Sequence, residues 1–81
     1  IKVQELAADG LGFAPGSRPI DLVHPVAEAA PGNYQRLVEA ATVLLHEGWY
    51  YLLFSGDNCC GADAHYAVMA ARSRSATGPF E

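Results

Sequence analysis

Two adjacent cysteines, Cys59 and Cys60, are the residues whose spacing most restricts the chemistry open to this sequence. Consecutive Cα atoms lie about 3.8 Å apart across a trans peptide, less than the roughly 4.4–6.8 Å usual between bridged cysteines. From the residues alone, a bridge and a pair of free thiols beneath a loop are both open. A nucleophilic role is disfavoured, because the sequence places no general base beside them.

Three histidines could in principle bind a metal ion: His24, His46 and His65. Their spacing is irregular and no Cys-x-x-Cys pair accompanies them, so they match no local metal motif. We expect structural or surface roles for all three. The sequence predicts no metal and no cofactor.

Glu39 is a carboxylate between Val38 and a run of alanine, valine and leucine, at the start of a predicted strand. Burial there would favour the protonated form that a general acid needs. A surface glutamate at a strand edge is the alternative, and the local sequence alone favours it. The other acidic residues in predicted loops or turns are expected to be solvated charges: Asp9, Asp21, Glu28, Glu47, Asp57, Asp63 and Glu81.

Composition excludes several classes of protein. The chain has 81 residues, which is at most one small domain or part of a larger one, and 51% of them are hydrophobic, which is typical of a chain that packs. A net charge of −4 argues against nucleic-acid binding, and the neighbouring Arg72 and Arg74 are expected on a solvated face. No apolar run approaches the ~20 residues of a membrane span, and the first ten residues lack the pattern of a signal peptide. The start at Ile1, without Met and in a strand pattern, is typical of a fragment or mature segment.

Alternating apolar residues predict an all-β fold. The clearest strands cover 41–45, 49–55 and 66–73, with a hairpin turn at Glu47-Gly48, and an earlier ribbon covers 1–22. One helical turn is predicted over 26–30. Both faces of the strand WYYLLFS are apolar, which indicates a sheet covered on both sides by neighbouring sheets, as in the stacked blades of a β-propeller. A chain separated from such neighbours is expected to self-associate.

The sequence from Leu37 to Glu81 resembles family 43 glycoside hydrolases, five-bladed β-propellers that include β-xylosidases, α-L-arabinofuranosidases and endo-arabinanases. The resemblance rests on LVEAATV, YYLLFSGDN and AARSRSATGPFE in this order, and IKVQELAADGL looks like the end of the preceding blade. It implies about one and a half blades. Residues 1–36 would form the end of one blade with a connecting loop, and residues 37–81 most of the next.

The resemblance also implies an inverting hydrolase of arabinose- or xylose-containing plant polysaccharides, with Glu39 as the general acid. Inversion requires two carboxyl groups ~6.5–9.5 Å apart, with a water between. The general base and a third carboxylate would lie upstream of Ile1, so the isolated chain is expected to be inactive. Some members of the family carry an ion in the propeller channel, held near a histidine of another blade. None of His24, His46 and His65 can be matched to that histidine.

One departure from the family pattern concerns the site itself. Ala40 stands where the family commonly has glycine, and its methyl group could crowd the sugar or shift the Glu39 carboxyl. The resemblance implies an extracellular or periplasmic protein, and such a setting favours a bridge between Cys59 and Cys60. Some arabinanase-like members of the family also have paired cysteines in this loop. A sugar-binding propeller that does not cleave, and a small β-domain that packs or oligomerises, are the alternatives.

Overall fold

Extended segments make up nearly all the regular structure in the computed structural model, which describes residues 1–28, 30 and 32–81. The elements in chain order are β1 (Lys2–Val3), β2 (Ile20–Asp21), a 3-10 turn (Tyr34–Arg36), β3 (Val38–His46), β4 (Trp49–Asn58) and β5 (His65–Ser73). The all-β prediction is confirmed. The helical turn predicted over 26–30 includes Ala29, which lies outside the described residues. No helix in the described part of the chain is long and apolar enough to cross a membrane.

The larger sheet is an antiparallel meander in the order β3-β4-β5, as predicted. Glu47 and Gly48 connect β3 to β4, with φ values of 47° and 76°, the positive angles that a tight two-residue hairpin turn requires. β3 begins three residues before its predicted start, because a bulge between Glu39 and Thr42 interrupts the alternation that marks a strand. β4 continues through Asn58, three residues beyond its predicted end at residue 55.

The core lies on one face of this sheet, around the central strand. Leu52 is fully buried and Phe54 is 6% exposed. Leu52 lies opposite Val43 and Ala71 in the register, and Phe54 lies opposite Met69, so these side chains share one face. The opposite face of β5 is open, with Val68 71% exposed. The described residues therefore cover the sheet mainly on one side.

The smaller sheet pairs Lys2 with Asp21 and Val3 with Ile20, which confirms the predicted ribbon over 1–22. Lys2 Nζ lies 3.0 Å from Asp21 Oδ1, and the hydrogen bond from Lys2 holds the pKa of Asp21 below its ordinary value. A Cβ placed on Gly78 would lie 3.7 Å from Leu22 Cδ2, so the segment after β5 runs beside the end of this ribbon.

We expect the isolated chain to self-associate, because its apolar surface is large relative to its core. Leu11, Leu45 and Val68 are 90%, 63% and 71% exposed. The radius of gyration is 14.6 Å, against about 12 Å expected for a compact domain of this length. Sedimentation velocity over a concentration series should show mass above that of the monomer. A constant monomer mass up to the highest concentration would contradict this expectation.

Candidate active site

Glu39 lies near the start of β3, at the end of the strand opposite the Glu47-Gly48 turn. The register pairs Glu39 with Ser55 and Thr42 with Leu53, so β3 contains one residue more than β4 over this stretch. Such a bulge bends its strand and redirects a side chain, and bulges are common beside active sites. The local backbone thus sets the direction of Glu39.

Ala40 forms this bulge with φ of 53°, in the left-handed region. A residue with a Cβ is less stable there by roughly 1–2 kcal/mol, whereas glycine adopts the region freely. This is a physical reason for glycine to be common at the position in the family that the sequence resembles. The bulge is present here with alanine.

The carboxylate of Glu39 accepts a hydrogen bond from the hydroxyl of Tyr66, with 2.7 Å between the hydroxyl oxygen and Oε1. Both side chains are exposed, Tyr66 to 40%. The burial expected around Glu39 is therefore not supplied by the described residues. Sequence reasoning missed Tyr66, since this contact joins strands β3 and β5 and depends on their register with β4.

Asp57 is not the solvated loop charge that the sequence predicted. It lies within β4, is 8% exposed, and has φ of 71°. Its Oδ2 lies 2.7 Å from Nδ1 of His65, whose ring stacks on Tyr34 with centroids 4.1 Å apart. The backbone N–H of Asp57 also donates to the carbonyl of Leu37. This cluster attaches the 3-10 turn to the sheet.

An open cleft of about 440 Å³ lies at the same end of the sheet as Glu39. Its lining comes from the loop before β3 and from the end of β4: Ala27, Arg36, Leu37, Asp57 and Asn58. Among the described residues of this end, the two non-glycine residues that have positive φ, Ala40 and Asp57, are on neighbouring strands. Unusual backbone angles of this kind concentrate at functional sites.

Cys59 and Cys60 are joined by a disulfide in the loop between β4 and β5. Both residues are exposed, so the alternative of free thiols beneath the loop is wrong. The backbone N–H of Cys60 donates to Oδ1 of Asn58, at 3.4 Å. The bridged pair is thus attached to the end of β4.

Two of the histidines lie beside acidic side chains. His24 lies 3.9 Å from a carboxylate oxygen of Asp21, and His46 lies 3.9 Å from one of Glu47. No group of three or more potential metal ligands occurs among the described residues.

Arg72 and Arg74 are exposed, as expected of a solvated face. Their guanidinium carbons also lie 4.5 and 3.7 Å from the centroid of Trp49, which the sequence did not indicate.

Comparison with known proteins identifies relatives that act on arabinan. An extracellular endo-α-(1→5)-L-arabinanase of Bacillus subtilis is 39% identical over 64 residues, 78% of this chain and 19% of that protein. A probable arabinan endo-1,5-α-L-arabinosidase B, found in two strains of Aspergillus fumigatus, is 34% identical over 65 residues, 70% of this chain and 18% of that protein. No family model matches the chain.

The resemblance indicated by the sequence motifs is thereby confirmed: the chain is similar to arabinanases, which are glycoside hydrolases. It spans about a fifth of the length of these curated relatives, at 19% and 18%.

Proposed function

We propose that this chain forms part of an inverting glycoside hydrolase of family 43 that cleaves arabinan, with Glu39 as the general acid. The placement of Glu39 carries the proposal: an exposed carboxylate on a bulge, directed by its backbone and hydrogen-bonded, among the described residues, through only one of its oxygens. The names of the relatives support arabinan as the substrate. The resemblance to family 43 also implies xylose-containing polysaccharides as substrates, but the names of the relatives do not mention them.

The proposed step uses Glu39 in its protonated form. The acid gives its proton to the glycosidic oxygen as the bond from that oxygen to the anomeric carbon breaks, and the bonding electron pair stays on the oxygen. A water attacks the anomeric carbon from the opposite face and gives its proton to a carboxylate base. We propose that this base and a third carboxylate come from residues outside this chain.

In this proposal the sheet β3-β4-β5 is part of one blade of a five-bladed β-propeller. Residues 1–36 complete the preceding blade and its connection, and residues 37–81 form most of the next. The antiparallel meander and the exposed apolar face support stacking against neighbouring sheets. Because the Bacillus relative is named extracellular, we also propose that the protein is secreted.

The test is an assay of the full-length protein that carries this chain, with linear α-1,5-arabinan and with xylan. We expect release of arabino-oligosaccharides whose new reducing ends first appear with inverted anomeric configuration. Proton NMR during the first turnovers measures this configuration. Binding of arabinan without any product would favour a sugar-binding protein. Products with retained configuration would contradict the two-carboxylate inverting mechanism.

A further inference from the structure

The hydrogen bond between Tyr66 and Glu39 follows from the register of the sheet. Glu39 lies opposite Ser55, and Ser55 lies opposite Val68. Tyr66 is two residues before Val68 on β5, so it projects from the same face as Glu39. The two strands are separated by two interstrand spacings, about 10 Å, which these two long side chains bridge over the small side chain of Ser55.

The carboxylate beside this contact, that of Asp57, has a different partner. Asp57 lies opposite Tyr66 in the register, but its carboxylate is bound to His65. The left-handed backbone at Asp57 accompanies this arrangement, with φ of 71°. The hydroxyl of Tyr66 donates to Glu39, at 2.7 Å, an ordinary distance for an O–H···O hydrogen bond.

We propose that Tyr66 is a positioning residue for the general acid, an inference that rests on the function proposed above. A phenol has one O–H to donate, and Tyr66 donates it to Oε1 of Glu39. When Glu39 is protonated, the oxygen that accepts from Tyr66 is the carbonyl oxygen, and the acidic proton resides on Oε2. Tyr66 therefore selects Oε2 as the atom that protonates the leaving group, and holds the carboxyl in one orientation.

Orientation of this kind affects the rate of the chemical step more than it affects the binding of substrate. An exposed glutamate without the tyrosine samples several rotamers, only some of which direct Oε2 at the glycosidic oxygen. In the full-length protein we expect Tyr66→Phe to lower kcat on arabinan roughly 10-fold or more, with KM nearly unchanged. An arabino-oligosaccharide with a dinitrophenyl leaving group needs little protonation, so its hydrolysis should lose much less.

The decisive comparison is a double-mutant cycle with Glu39→Gln. If Tyr66 acts through Glu39, then adding Tyr66→Phe to Glu39→Gln should change kcat on arabinan by no more than about twofold. Tyr51→Phe is the matched control, since the hydroxyl of Tyr51 makes no hydrogen bond among the described residues, and this variant should match the wild type. Thermal unfolding of each variant shows whether the fold is retained.

Two different failures are distinguishable. A wild-type protein that does not hydrolyse arabinan, or a fully active Glu39→Gln variant, overturns the proposed function and the role of Tyr66 with it. An active wild type that is impaired by Glu39→Gln but not by Tyr66→Phe overturns only the role of Tyr66. Equal losses on arabinan and on the dinitrophenyl substrate, or additive losses in the cycle, also overturn that role.

Discussion

Glu39→Gln in the full-length protein is expected to slow arabinan hydrolysis by roughly 10²–10⁴-fold, the usual contribution of a positioned proton donor. Glutamine is nearly the same size as glutamate and can still accept the hydrogen bond from Tyr66, but it has no acidic proton to give. Binding of arabino-oligosaccharides should therefore be largely retained. Steady-state kinetics and calorimetric titration measure the two quantities separately.

The leaving group separates a general acid from a binding residue. Hydrolysis of an arabino-oligosaccharide with a dinitrophenyl leaving group should be affected far less by Glu39→Gln, because the departing oxygen needs no proton. Glu47→Gln is the matched control: Glu47 is 83% exposed at the other end of β3 and should leave both rates unchanged. Equal losses on both substrates would assign Glu39 to binding.

Gly56→Ala is expected to give the largest loss of stability, about 3 kcal/mol, by overpacking. A Cβ at this position would overlap the carbonyl oxygen of Tyr34 and the Cε of Met69, and would lie 3.1 Å from the carbonyl oxygen of Leu37. Met69 is flexible and can move. The two carbonyl oxygens belong to the backbone around the 3-10 turn, so this turn must separate from the sheet.

The measurement is the unfolding midpoint of the full-length protein in guanidinium chloride, for the wild type and for the Gly56→Ala variant. Gly12→Ala is the control, because a Cβ on Gly12 would have no heavy atom within 4 Å, and its effect should stay within about 0.5 kcal/mol. Displacement of the 3-10 turn should also lower arabinan hydrolysis, since Leu37 precedes β3 and Glu39. An unchanged midpoint for Gly56→Ala would show that the turn does not pack on β4 as described.

The sequence predicted the strands of the larger sheet well, because aromatic and branched residues alternate along them. It missed the start of β3, where Glu39, Ala40 and Ala41 form a bulge that has no period of two. It also missed the end of β4, since Gly56, Asp57 and Asn58 have the composition of a loop and yet continue the ladder to β5. Local composition does not reveal a strand that is stabilised by its partners.

The candidate site was predictable only in part. Glu39 emerged from a resemblance to a family rather than from its local setting. Tyr66 and the pair Asp57–His65 are contacts between residues distant in sequence, and they depend on a register that a bulge shifts by one residue. The sequence does not decide whether Cys59 and Cys60 are bridged, because adjacent cysteines are compatible with either redox state.

The most direct test of Glu39 as the general acid is a crystal structure of the full-length Glu39→Gln variant with a bound arabino-oligosaccharide. We expect the oligosaccharide to lie across the start of β3, with the side-chain amide of residue 39 about 3 Å from a glycosidic oxygen. We also expect the hydroxyl of Tyr66 to donate to the oxygen of that amide. An oligosaccharide bound elsewhere, or a side chain at position 39 that faces outward between sheet edges, would contradict the assignment of Glu39 as the general acid.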